Sequence, residues 1–236
     1  MTDENILNII DDLNSGANSK NYILRQIGID IFYAKVWQNL FNENSSEVSS
    51  EKFYFIKYKG LFVGAIQYAG SDLHWYIKLD SRKKGLLTWA LRDYILPHIF
   101  LIQKKDKQRI TISKTRLSEK GYNDSEKVAL ELGFEKVENE NSKKDICEYY
   151  ISKEQIKTVF VNSDNFNKIQ SENYLSEIGV ISNQIINRIK YLKDRSELYF
   201  NEFPDEFPKL EDLMFEYRLS LEDIWQDRHT EDINGN

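Results

Sequence analysis

At 236 residues, with 41% hydrophobic and 13% aromatic residues, the chain has enough apolar side chain for one sizeable packed domain plus an appendage, which excludes a disordered polypeptide. It carries a net charge of -6, has no run of 18 apolar residues, and starts with the acidic Met-Thr-Asp-Glu-Asn rather than a signal peptide. A cytoplasmic protein without a transmembrane helix is expected, and its one cysteine, Cys147, excludes an internal disulfide and a cysteine-based zinc cluster.

Residues 1–19 hold a short amphipathic segment (Ile6, Leu7, Ile9, Ile10, Leu13) that ends in the turn-rich linker Asn14 to Ser19. Tyr22 to Gly28 alternates as a first strand. Asp30 then reads as the cap of a helix bearing Ile31, Phe32, Ala34, Val36, Trp37, Leu40 and Phe41. Phe53 to Tyr58 and Leu61 to Tyr68 flank Lys59-Gly60, which predicts a hairpin. Leu73 to Leu79 is the next strand. The basic turn Arg82-Lys83-Lys84-Gly85 follows, then an apolar helix from Leu86 that should kink or end near Pro97. Arg109 to Ser113 is a short β-branched strand, Lys114 to Asn123 a basic loop, and Asp124 or Ser125 the cap of a helix stopped by Gly133. Phe134 to Val137 and Ile146 to Ile151 complete a mixed α/β (α+β) sheet. Beyond Ser163, Leu175 to Leu192 and Leu210 to Trp225 stripe two helices, an appended hairpin. The predicted organisation is an N-terminal segment (1–19), a sheet domain (20–160) and an acidic helical hairpin (161–236).

Charge is unevenly spread. Asn201 to the C-terminus holds 11 acidic and 3 basic residues, whereas Lys78 to Lys120 holds 12 basic and 4 acidic. A local basic field within an acidic protein suits a small polyanion better than long nucleic acid. A solvated helix face and loop is the plainer account of the same residues. A strand, a glycine-containing basic turn and a helix in succession offer free backbone N–H groups and positive charge to a phosphate.

This strand–turn–helix, followed about 40 residues on by Ser125-Glu126-Lys127-Val128-Ala129-Leu130-Glu131-Leu132-Gly133-Phe134, resembles the GNAT superfamily of N-acetyltransferases over roughly Tyr22 to Lys153. The resemblance implies a mainly antiparallel sheet flanked by helices, with acetyl-coenzyme A or another acyl-coenzyme A as cosubstrate and no metal. It places the pyrophosphate on the backbone of Arg82, Lys83, Lys84, Gly85, Leu86 and Leu87. The pantetheine arm and thioester carbonyl fall to backbone groups of Ile77, Lys78 and Leu79, and the helix that opens at Ser125 packs beside the arm. Leu87 stands where the family usually has glycine or alanine. Ala129 stands where it often has a tyrosine that protonates the leaving thiolate, and Tyr122 where it often has asparagine.

For the base that takes a proton from an amine, His74 is the leading candidate, with Asp72 and Glu51 behind it; a strand histidine also commonly just fills a half-buried face. Tyr122 is the candidate acid, with loop packing as its plain role, and Ser125 has helix capping as its own. Cys147 on a late strand reads as core, and three scattered histidines give no metal signal. The expected activity is acetyl transfer from acetyl-coenzyme A to a primary amine on a small molecule or protein. The alternative is a catalytically degenerate relative that serves as a scaffold. A toxin that acetylates charged transfer RNA is a third reading, and the acidic C-terminal helix argues against it. The hairpin's apolar stripes serve either packing on the sheet or a homodimer or partner protein.

Overall fold

Alternating apolar residues build an eight-stranded sheet of order β1-β2-β3-β4-β5-β6-β8-β7 in the structure, a computed structural model that describes residues 2–17, 21–37, 50–137, 145–156, 171–200 and 207–234. The strands are β1 (Tyr22–Gly28), β2 (Ile31–Trp37), β3 (Ser50–Tyr58), β4 (Leu61–Tyr68), β5 (Asp72–Ile77), β6 (Lys107–Ser113), β7 (Glu135–Val137) and β8 (Ile146–Ser152). Every neighbouring pair is antiparallel except β5 and β6. The chain divides into two compact units, Met1–Phe166 and Asn167–Asn236.

The expected helix after Asp30 is a strand instead. Asp30 adopts a left-handed φ of 56°, which closes a tight β1–β2 turn and is not the extended backbone of a helix cap. From Ile31 to Val36 the side chains alternate between the two faces of the sheet, a period of two that the sequence disguises because apolar residues at 31, 34 and 37 also fit a helical step. The remaining residues of that expectation, 38–41, lie outside the described residues.

The first helix, α1 (Asp3–Ser15), is capped by the Thr2 hydroxyl, which accepts from Asn5 N at 3.3 Å. Its Ile6, Ile9 and Ile10 are buried with Ala34, Val36, Phe53, Phe55, Phe62 and Ala65 on one face of the sheet. The other face is covered by two helical segments. One starts as α2 (Leu86–Ala90) and continues through π-helical turns at Leu91–Ile95 and His98–Ile102; the other is α3 (Glu119–Glu131). Pro97 therefore does not end the helix. Wide turns such as Leu96 N to Leu91 O and Gln103 N to His98 O tolerate its missing N–H, while buried Ile95, Leu96, Ile99 and Phe100 hold the segment on the sheet.

The cap of α3 also differs from expectation. Ser118 Oγ accepts from Gly121 N at 3.2 Å, so the helix starts at Glu119, and Ser125 lies inside it rather than at its start. Several consecutive cap-type residues compete here, and Ser118 is the one in extended backbone. Gly133, at φ 90°, stops the helix as expected. In the second unit α4 (Ser171–Phe200) and α5 (Phe207–Asn234) pack on each other.

The helix on the sheet carries a buried histidine. His98 Nδ1 lies 2.9 Å from Tyr54 Oη, with the Tyr33 ring 5.0 Å from the imidazole. Burial, with help from the Arg25 charge, lowers the pKa of His98 from its usual 6.5 to about 4. The unfolded chain therefore binds a proton that the folded chain refuses, and stability is complete above pH 6.5 and falls as pH drops toward 4. Denaturant titrations at pH 7.5 and 4.5 are expected to differ by about 2–3 kcal/mol from this group, and His98→Gln should flatten that dependence.

Candidate functional site

The parallel pair β5–β6 joins only at Asp72↔Arg109 and Leu73↔Ile110. Beyond those two pairs β5 runs on to Ile77 and β6 to Ser113 without pairing to each other, so a crevice opens at the carboxyl ends of the two strands. Ligands of open α/β sheets commonly settle at such a place, where backbone groups lack a ladder partner. An ion network closes the other end: Arg109 lies 3.2 Å from Glu148 Oε1 and 3.8 Å from Asp72 Oδ2.

The basic turn stands at the mouth. Lys78 N donates to Val63 O at 2.9 Å, then Leu79–Ser81 makes a single 3₁₀ turn, so Lys78 and Leu79 fall just past the strand rather than on it. Arg82 Nε donates to Ile77 O at 2.8 Å while its guanidinium lies over the Tyr76 ring. Lys84 Nζ donates to Asp80 O at 2.7 Å and lies 5.2 Å from the centre of the Tyr58 ring. These two cations brace the turn as well as charging it. Lys83 and Gly85 both adopt left-handed φ, 59° and 74°, and a side chain grown from Gly85 would enter open space. Gly85 O accepts the first helical bond, from Trp89 N at 3.0 Å, which leaves the N–H groups of the first helical turn without a partner in the helix. The Leu86 and Leu87 side chains pack half-buried against the core.

His74 follows the last residue of β5 that pairs with β6 and projects, exposed, from the face that α1 covers. Its Nε2 lies 3.1 Å from Asp3 Oδ1 of α1. On the same helix Asp11 pairs with Lys78 at 2.8 Å. The two weaker base candidates are engaged elsewhere: Glu51 accepts from Gln67 Nε2 at 2.7 Å, and Asp72 faces Arg109.

Tyr122 lies elsewhere. Its hydroxyl meets Glu126 Oε1 at 3.1 Å, Tyr149 Oη at 3.1 Å and Cys147 Sγ at 3.3 Å, so it points to the β8 side of β6 and not into the β5–β6 crevice. Tyr149 also donates to Glu126, and that bond, before any other cause, holds the Glu126 carboxyl below its usual range. Burial first, and then the bonds to Cys147 and Glu126, push the Tyr122 phenol up against the opposing bond from Tyr149; burial first, and then the bonds to Glu126 and Tyr122, push the Tyr149 phenol up. This network of α3 and β8 has no signature in the sequence, because Glu126 and Tyr149 are 23 residues apart on different elements. Ser125 sits on the second turn of α3, and Ala129 is fully buried in the core. Among the described residues no group of histidine, cysteine and carboxylate side chains is arranged to hold a metal, and no helix is long and apolar enough to cross a membrane.

No protein-family model matches the chain, and no curated protein matches it. Solved structures do. A chimera of the spermidine N-acetyltransferase SpeG from Vibrio cholerae and hSSAT matches with 14% identity and a TM-score of 0.34, covering 43% of this chain and 66% of that one, just under two thirds. The N-acetyltransferase PseH of Campylobacter jejuni in complex with acetyl coenzyme A matches with 14% identity over 44% of this chain and 68% of its own, at a TM-score of 0.34. An acetyltransferase of the GNAT family from Bacillus anthracis matches with 15% identity over 56% of this chain and 99% of its own, at a TM-score of 0.36. The strand order of the chain itself establishes a mixed, mainly antiparallel sheet flanked by helices, which is the architecture that the resemblance to the GNAT superfamily implies.

Proposed function

We propose that the chain is an acyl-coenzyme A-dependent N-acyltransferase that moves an acetyl group from acetyl-coenzyme A to a primary amine by direct attack. The observation that carries this reading is the parting of β5 from β6 directly above a basic turn and a helix start. A diphosphate at the mouth gains the free N–H groups of Gly85 to Thr88 and the field of Arg82, Lys83 and Lys84. An amide-bearing arm along β5 gains the backbone groups that β6 leaves unpaired. The acceptor amine approaches His74 from the α1 face. Asp3 holds the ring through Nε2–H, which leaves Nδ1 as the proton acceptor. The amine nitrogen bonds to the thioester carbon, its proton passes to Nδ1, the C–S bond breaks, and the thiolate takes a proton from water at the crevice mouth.

Tyr122 is assigned a structural part in this scheme, because its hydroxyl is already engaged by Glu126. Tyr122→Phe is expected to lower stability by about 1–2 kcal/mol and to leave kcat within roughly threefold. A loss of about a hundredfold in kcat, with the fold intact, would instead restore it as the acid.

Calorimetry with acetyl-coenzyme A tests the reading at its root: no binding at millimolar ligand removes it. Thiol release against a panel of amines tests the chemistry. Gly85→Ala should raise KM for acetyl-coenzyme A by about tenfold at unchanged kcat, since a side chain disfavours the left-handed backbone that presents the N–H groups. The scaffold reading draws its support from Ala129, buried where the resemblance puts a catalytic tyrosine. It predicts binding of the coenzyme without turnover of any amine.

A further inference from the structure

Beside the basic turn stands a further cation that the acyl-transfer scheme leaves unused. The tight turn Lys59-Gly60 joins β3 to β4, with Tyr58 paired to Leu61 across it. Both turn residues have left-handed φ, 51° and 83°, the backbone of a two-residue hairpin turn whose twist matches its strands. Gly64, near the start of β4, pairs with Ile77 at the end of the antiparallel β5. The β3–β4 turn and the basic turn Arg82–Gly85 therefore leave the sheet at the same end.

Tyr58 is where the two turns meet. Its ring is half-buried against the core on the side that α2 covers. Lys59 Nζ lies 5.5 Å from the centre of that ring, and Lys84 Nζ lies 5.2 Å from it. One aromatic ring thus gathers two ammonium groups from separate segments of the chain. Both lysines are exposed, and among the described residues no carboxylate lies within ion-pair distance of either one or of Lys83. Asp80, the acid of the basic turn, accepts at Oδ1 from Ser81 Oγ at 3.4 Å. The negative face of a ring attracts a cation but does not neutralise two of them. An ammonium has three donors; Lys84 gives one to Asp80 O at 2.7 Å, and Lys59 gives none among the described residues.

Two neighbouring ammonium groups with free donors suit a phosphate monoester, which carries close to two negative charges and three acceptor oxygens. Coenzyme A has one. Besides its diphosphate, it bears a separate phosphate on the adenosine ribose, one sugar away from the diphosphate. Lys84 belongs to the turn that would take the diphosphate, so a ligand seated there brings its ribose phosphate toward the neighbour of Lys84 on the Tyr58 ring. The opposite lip of the crevice is built differently. There Lys114 lies 5.4 Å from the centre of the Tyr122 ring, and the Glu126 carboxylate bonded to that same tyrosine already supplies negative charge.

We propose that Lys59 and Lys84 clamp the ribose phosphate of the cosubstrate, so that Lys59 separates an acyl-coenzyme A from its dephosphorylated form; the assignment rests on the acyl-coenzyme A reading above. Calorimetry on the full chain at low ionic strength, with acetyl-coenzyme A and with acetyl-dephospho-coenzyme A, tests it. The parent should bind the first about tenfold more tightly, and added salt should narrow the gap. Lys59→Asn removes the charge and keeps a residue that tolerates left-handed φ. It should weaken acetyl-coenzyme A to the level of the dephosphorylated ligand and leave the Kd of the latter unchanged. Lys59→Arg should keep the preference. Equal affinities in the parent overturn the proposal. So does a preference that survives Lys59→Asn, or one that Lys114→Gln abolishes instead. Inorganic phosphate equimolar with the ligand should leave the gap in place; if it closes the gap, the pair is a site for free phosphate and the ribose assignment fails. Binding of neither ligand removes the acyl-coenzyme A reading and this assignment with it, whereas equal binding of both removes the clamp alone.

Discussion

His74→Ala is expected to lower kcat for acetyl transfer by 10²- to 10³-fold at neutral pH, on the order of 3–4 kcal/mol of transition-state stabilisation. The imidazole stands on β5 directly after the last residue paired to β6 and carries a ring nitrogen that can accept the proton of an attacking amine. Its removal should leave the KM for acetyl-coenzyme A nearly unchanged, because the basic turn is untouched. Asp3→Asn should give a smaller loss, about tenfold, since Asp3 only orients the ring through its 3.1 Å contact. A His74→Ala enzyme with kcat within threefold of the parent would show that this histidine is no base.

A large effect on folding is expected at Gly28. It lies at the irregular end of the β1–β2 pairing, and a Cβ there would stand 2.0 Å from Tyr94 Cδ1 and 2.3 Å from Cε1. The Tyr94 ring is buried and lies edge-on to Trp89 at 5.3 Å between centroids, so it has little freedom to retreat. Gly28→Ala should cost about 3 kcal/mol, and roughly 6–12 °C in Tm, through overpacking alone. Tyr94→Ala should be destabilising by itself, by about 3–5 kcal/mol, but the double variant should be more stable than the sum of the two by at least 1 kcal/mol. Urea melts of the four proteins close that cycle. A Gly28→Ala protein within 0.5 kcal/mol of the parent would mean that the helix over the sheet yields easily.

How much of this was legible in the sequence depended on whether the signal was local. Gly85 and the apolar residues after it marked the start of α2, because a left-handed glycine and a period of 3.6 are read from neighbours in the chain. The stop at Gly133 was legible for the same reason. Ile31 to Trp37 was misread where two periods coincide: residues 31, 34 and 37 suit a helix, and only the left-handed turn at Asp30 and the pairing to β3 decide for a strand. Ser118 lost to Asp124 and Ser125 because a run of polar residues offers several caps and tertiary packing chooses among them. Non-local groups left no trace at all. The Asp3–His74 contact spans 71 residues, and the Tyr122–Glu126–Tyr149 network joins a helix to a strand across 23. Tyr122 was legible as a residue at the start of a helix, but the direction of its hydroxyl was not.

The two contacts that α1 makes with the edge of the crevice also share a length. Asp3 and Asp11 are eight residues apart on a helix, about 12 Å at 1.5 Å per residue. Their partners His74 and Lys78 are four residues apart on extended chain, about 13 Å at 3.3 Å per residue. Helix and strand therefore run in the same direction with matching rulers, and α1 acts as a splint pinned at both ends of the stretch that pairs with β4 but no longer with β6. One residue added to the middle of α1 would turn its far end by about 100° and lengthen it by about 1.5 Å, so that only one pin could be kept. This one-sided strand segment is held by a helix whose fit is set by a count of residues, which makes α1 tolerant of substitution on its outer side and intolerant of insertion.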